Sequence, residues 1–154
     1  MRDKHKDTLK SKICITINEY QKIQEKMGDL FNISLFDKYK ISDIKGISFI
    51  EHASQIVFEK SFNQPIDKVK WPESLTQITF GWNFNQPIDE VKWPESLTKI
   101  TFGWHFNQPI DQVKWPVSLS QITFGDKFNK PIDKVKWPKS LKSIIISDII
   151  KKID

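Results

Sequence analysis

From residue 62 to residue 147 the chain repeats one pattern four times at a spacing of 22 residues, and that periodicity constrains its fold more than any other feature. Phe62, Phe84, Phe106 and Phe128 form one column, each followed by an asparagine: Asn63, Asn85, Asn107 and Asn129. Pro65, Pro87, Pro109 and Pro131 come next, then Ile66, Ile88, Ile110 and Ile132, then Asp67, Asp89, Asp111 and Asp133. A second block places Trp71, Trp93, Trp115 and Trp137 ahead of a proline and a Ser-Leu pair. The unit closes on Ile78, Ile100, Ile122 and Ile144, each two residues before Phe80, Phe102, Phe124 or Ile146.

A period of this length built around Leu-x-x-Ile-x-Phe predicts a leucine-rich-repeat-like β-solenoid. Ile78 and Phe80 alternate about Thr79, so both point to one face of a short strand. A single coil cannot bury that face, but coils stacked about 4.8 Å apart form a parallel sheet over one continuous core. The prediction is one short strand per 22-residue coil. Gly81, Gly103 and Gly125 are expected where each strand ends and the chain turns. The two prolines per repeat cannot donate to a ladder and belong on the return path.

Two further columns have structural readings. A turn recurring in every coil leaves backbone groups in need of partners inside the core. Stacked Asn63, Asn85, Asn107 and Asn129 can supply them as a structural ladder. Lys70, Lys92, Lys114 and Lys136 would stack as like charges, at about 0.9 kcal/mol per neighbouring pair in bulk water. The Asp67, Asp89, Asp111 and Asp133 column nearby turns them into a screened, solvated charge grid.

A chain of 154 residues is long enough for one core without staples. One cysteine, Cys14, excludes an internal disulfide framework and fits a reducing compartment. No apolar run of membrane-spanning length exists, and the polar stretch after the charged N-terminus is unlike a signal peptide. An intracellular location without membrane association is expected. The net charge of +5 is spread along the chain, and of 24 basic residues only Arg2 is arginine. Arginine reads guanine edges and grips phosphate bidentately, so specific nucleic-acid recognition is not expected.

The FNQPID, WPESL and ITFG blocks, recurring in that order over residues 62–147, closely resemble the FNIP repeat. Proteins of that family occur in social amoebae and in large DNA viruses of amoebae, often behind an F-box that docks a ubiquitin-ligase scaffold. The lysine-, isoleucine- and asparagine-rich composition suits such an origin, so the resemblance implies a viral or amoebal protein in host cytoplasm or a virion. It also implies a protein-binding role. Residues 1–40 show no F-box pattern, so a ubiquitin-ligase link is not expected from them.

One period before Phe62, the residues Ile44, Ile47, Phe49, Ala53, Ile56 and Phe58 fall in the columns of a worn repeat over 41–61. Earlier, LFNISLF (30–36) offers similar spacing, ICITI (13–17) alternates as a strand, and NEYQKIQEKMG (18–28) reads as a short helix. Asn18 is its N-cap and Gly28 its stop. Residues 1–40 are expected to form a cap of strand, helix and strand, and 148–154 a smaller cap after the last repeat. Ile145 replaces the outward threonines of earlier coils beside an expected open sheet edge, which predicts a homo-oligomer through the C-terminal end.

Letters that recur in every coil are explained by architecture, so function is sought in those that vary. Outward on the strands are Gln77, Thr79, Lys99, Thr101, Gln121 and Thr123, and just past two of them Trp82 and Trp104-His105. Trp82 and Trp104 are either rim anchors for a partner or covers packed on Phe84 and Phe106. These nine residues are the candidate protein-binding set, for a partner whose identity the sequence does not name. His5, His52 and His105 are scattered, Cys14 lies in an apolar strand, and no phosphate loop or zinc spacing exists. No catalysis, metal or cofactor is expected. The three strand threonines, broken by Lys99 and closed by Ile145, make a poor surface-binding lattice. The reading is a non-catalytic interaction or scaffold module. The alternative is a self-assembling structural protein, such as a virion component.

Overall fold

The computed structural model describes residues 14–16, 22, 25, 38–49, 51–147 and 149–152. Among them eight strands form one sheet in chain order: β1 Cys14–Thr16, β2 Lys38–Ile41, β3 Gln55–Phe58, β4 Gln77–Thr79, β5 Lys99–Thr101, β6 Gln121–Phe124, β7 Ser143–Ile146 and β8 Ile149–Lys152. β1 to β7 pair in parallel. From β3 onward the register advances by one coil per strand, Ile56 opposite Ile78, then Ile100, Ile122 and Ile144. All five isoleucines are buried, while the residues on either side of each face outward, as a period of two requires.

The core behind the sheet is built from columns. Phe58, Phe80, Phe102 and Phe124 stack at 5.1, 5.3 and 5.4 Å between ring centroids, with planes within 6°. Phe62, Phe84, Phe106 and Phe128 stack beside them at 6.0–6.2 Å, and within a coil Phe80 lies 4.1 Å from Phe84. Each such aromatic pair adds about 0.5–1.5 kcal/mol beyond its buried area. Opposite them stands the column of Trp71, Trp93, Trp115 and Trp137. The return path is irregular. It is pinned by one tight turn after each isoleucine, as in Val91 N–H to Ile88 O at 3.3 Å, and another after each Trp-Pro, as in Leu97 N–H to Pro94 O at 3.1 Å.

The glycines that follow the strands serve close approach. A Cβ on Gly103 would collide with the Gly81 carbonyl, and one on Gly125 with the Gly103 carbonyl, while none of these glycines has a left-handed φ. In the last coil Ser147 holds this column and does turn left-handed, with φ of 48°. It begins the two-residue link from β7 to β8, where a positive φ matches the strand twist.

The ends depart from the expectations. In the worn coil a 3-10 helix, Ile44–Phe49, replaces the single turn of the full repeats. The strand before β3 is β2, and Lys38 pairs with Gln55 only 17 residues on, so the coil is shorter than 22. Tyr39 and Ile41 take the inward columns and are buried. The LFNISLF stretch lies outside the described residues. Of the helix expected over 18–28, Lys22 and Glu25 are described and helical; the rest also lies outside them. At the other end β8 pairs antiparallel with β7, with Ile145 opposite Ile150. The expected open edge at β7 is therefore occupied by the chain's own next strand, which removes the reason given for association there.

Candidate functional site

The sheet register brings the strand candidates into two rows. Gln77, Lys99 and Gln121 lie side by side, as do Thr79, Thr101 and Thr123. Gln77 is exposed and the other five are half-buried. Thr76, Thr98 and Ser120 also follow the coil spacing, but their hydroxyls donate to the carbonyls of Ser54, Thr76 and Thr98 in the preceding coil at 3.0–3.1 Å. They are joints of the stack.

Trp82 and Trp104 sit one rung apart just past β4 and β5. Their rings are stacked at 4.9 Å with planes within 2°. Trp82 is 42% exposed, a rare exposure for so large an apolar ring, and Trp104 is half-buried. Phe84 and Phe106, the packing partners the sequence offered, are fully buried and stack on each other at 6.1 Å. Instead, Lys60 Nζ lies 5.1 Å from the Trp82 ring centroid, and His105 meets that ring edge-on at 6.2 Å. Backbone bonds set the rungs: Asn83 N–H donates to Lys60 O at 3.0 Å, His105 N–H to Trp82 O at 3.0 Å and Lys127 N–H to Trp104 O at 3.1 Å. Lys60, Trp82, Trp104 and Asp126 are thus four successive rungs of one column. Lys60 was missed in the sequence, although it lies one period of 22 before Trp82.

The asparagines form a chain of bonds along the surface, not inside the core, because the phenylalanine before each takes the inward position. Asn63 Oδ1 accepts from Asn85 N–H and Asn85 Oδ1 from Asn107 N–H, both at 2.9 Å, and Asn107 Oδ1 from Asn129 N–H at 3.1 Å. Gln86 and Gln108, not singled out in the sequence, add Nε2 bonds to Asn63 and Asn85 at 3.0 Å.

On the Trp-Pro side two adjoining depressions of 580 and 550 Å³ share Lys70, Trp71 and Glu73. The indole N–H groups of Trp71, Trp93 and Trp115 are buried there without a protein partner. The Asp column is exposed throughout; a bond from Gln112 and one from its own backbone hold the Asp111 carboxyl below the usual carboxylate range. Among the described residues no three His, Cys, Asp or Glu side chains are grouped to hold a metal. No helix among them is long and apolar enough to cross a membrane.

The family model of the FNIP Repeat matches residues 62–105, 84–113 and 106–148, more than half of the chain. The chain belongs to the FNIP repeat family. A search of curated proteins returned no match. Among solved structures the chain is similar to CroV588, described as a novel circular LRR protein, with 42% identity and a TM-score of 0.58. That match covers 62% of this chain and 14% of CroV588, so this chain spans a small part of its neighbour's length. The protein is a repeat solenoid of the FNIP type with a leucine-rich-repeat-like fold. Within its FNIP repeats Trp82 and Trp104 have no counterpart at Asp126, so the stacked pair belongs to two coils and not to the repeat as such.

Proposed function

We propose that this FNIP-repeat solenoid is a non-catalytic protein-interaction module. Its contact surface is the outward rows of β4 to β6 together with Trp82, Trp104 and His105. The observation that supports the reading is the Trp82–Trp104 pair, stacked face to face yet exposed, and held in place by the backbone rungs of the coils. Large rigid rings at a rim anchor partners at low entropic cost. The double variant Trp82→Ala/Trp104→Ala tests it by affinity capture from the source cells, with circular dichroism to verify the fold. Proteins retained by the wild type and lost by the folded variant are expected; identical sets, or none with either, overturn the reading.

A second reading is self-assembly. The similarity to a circular leucine-rich-repeat protein over a small part of its length favours it, because a short arc of coils is a natural building block of a larger ring. Light scattering over a range of concentrations separates the two: growth beyond a monomer supports assembly, and a constant monomer excludes it.

A further inference from the structure

We infer that the Trp82–Trp104 patch takes an acidic segment of a polypeptide partner, a step that rests on the interaction surface proposed above and names the chemistry of what it binds. An indole is negative over its faces and positive around its edge. Here the faces are largely used. Lys60 lies over the Trp82 ring and Trp104 stacks on it, so Trp82 is held between a cation and a second ring. A cationic ligand would have to displace Lys60 to reach that ring. A nucleobase would have to wedge between rings only 4.9 Å apart. What the exposure of Trp82 leaves to solvent is the ring edge, with the imidazole of His105 beside it. An array of edges attracts carboxylates and carbonyl oxygens.

The surrounding charge points the same way. Lys60 begins the column and Lys127 adjoins its last rung, against Asp126 on that rung and half-buried Glu59 at the start. The potential also rises along the stack. Residues 82–103 hold two lysines against three acids, whereas residues 126–147 hold six lysines against two aspartates, net charges of −1 and +4. The column therefore runs toward the most basic coil of the repeats. Two such coils brought end to end would repel, which favours an acidic partner over a second copy at that end.

A fluorescent ten-residue polyglutamate tests the assignment, with ten-residue polylysine and a ten-nucleotide oligothymidylate as competing probes. Polyglutamate is expected to bind best, more weakly as salt rises. Lys60→Glu should weaken it about fivefold and Asp126→Asn should tighten it about twofold. Lys134→Glu/Lys139→Glu, on the return path of the basic coil, should change it less than about twofold, and thermal melts verify that each variant is folded. Preference for polylysine or the oligonucleotide overturns the inference. So does insensitivity to Lys60→Glu, or loss of binding in the return-path variant alone. If the tryptophan double variant loses its captured partner while polyglutamate does not bind the wild type, the acidic chemistry is wrong and the interaction surface stands. If the captured partner survives that variant, both fall.

Discussion

Trp71, Trp93, Trp115 and Trp137 stack through the core at 5.5–6.5 Å, and Trp82 and Trp104 stack at the rim at 4.9 Å. The coil spacing imposes both arrangements, so the geometry of stacking does not tell scaffold from surface. Burial does. The first three core rings are no more than 9% exposed, and their indole N–H groups find no protein acceptor. Each orphaned donor costs about 1–3 kcal/mol. Removing roughly 150–250 Å² of ring from water returns about 4–6 kcal/mol, so burial wins. The rim pair has no such debt and no such gain, and its rings are free to meet something else.

The sharpest way to break this contrast is truncation inside the core. Trp93→Ala should destabilise by about 3–5 kcal/mol in chemical denaturation, since both stacking neighbours lose contact at once. Trp93→Phe should cost only about 1–2 kcal/mol, because the lost volume is partly offset by removing an unpartnered donor. Equal costs for the two would mean that the indole N–H is satisfied, by water for example.

Gly103→Ala comes next, at about 1–3 kcal/mol or more. The added Cβ has only the rigid Gly81 carbonyl to push against, and that carbonyl belongs to the coil below. Glu59 holds the same column in the worn coil. Glycine is therefore demanded where full coil meets full coil, and thermal melts of Gly81→Ala, Gly103→Ala and Gly125→Ala map that demand.

These two predictions rest on columns that were legible in the sequence, because every coil repeats the same steric problem. Ile78, Ile100 and Ile122 had to face inward together, and the tryptophans ahead of each proline had to stack. The ends were less legible for a physical reason. β2 lies only 17 residues before its partner β3, so no letter at the 22-residue spacing announces it. The β7–β8 link uses Ser147 at positive φ, where a glycine or asparagine would have signalled a hairpin. At the candidate site, Trp82 and Trp104 stood out as letters, but Lys60 did not. A lysine in a charged stretch acquires meaning only once the rung places it over an indole.

The asparagine chain gives a smaller effect with an internal control. Asn85→Ala removes the acceptor used by Asn107 N–H and by Gln108, at half-exposed positions, and should cost about 1 kcal/mol. Asn129→Ala, at the last rung, should cost close to nothing, since its own N–H still reaches Asn107. If both cost the same in parallel urea titrations, the chain of bonds is incidental and packing of the adjacent phenylalanines holds the turn.

The smallest expected change is the one on which the contrast depends most. Trp82→Ala leaves Phe84 and the backbone rung from Asn83 to Lys60 in place, and removes one ring stack and one cation–ring contact. Stacking of exposed rings and a solvated lysine over an indole together contribute about 1 kcal/mol. A cycle of Lys60→Ala and Trp82→Ala should return a coupling of about 0.5 kcal/mol. A loss as large as that of Trp93→Ala would show that the rim pair is core after all, and the surface proposed for partners would lose its anchor. A small loss, with the sheet intact by circular dichroism, leaves two exposed indoles that the solenoid can do without, and places the reason for their presence outside the fold.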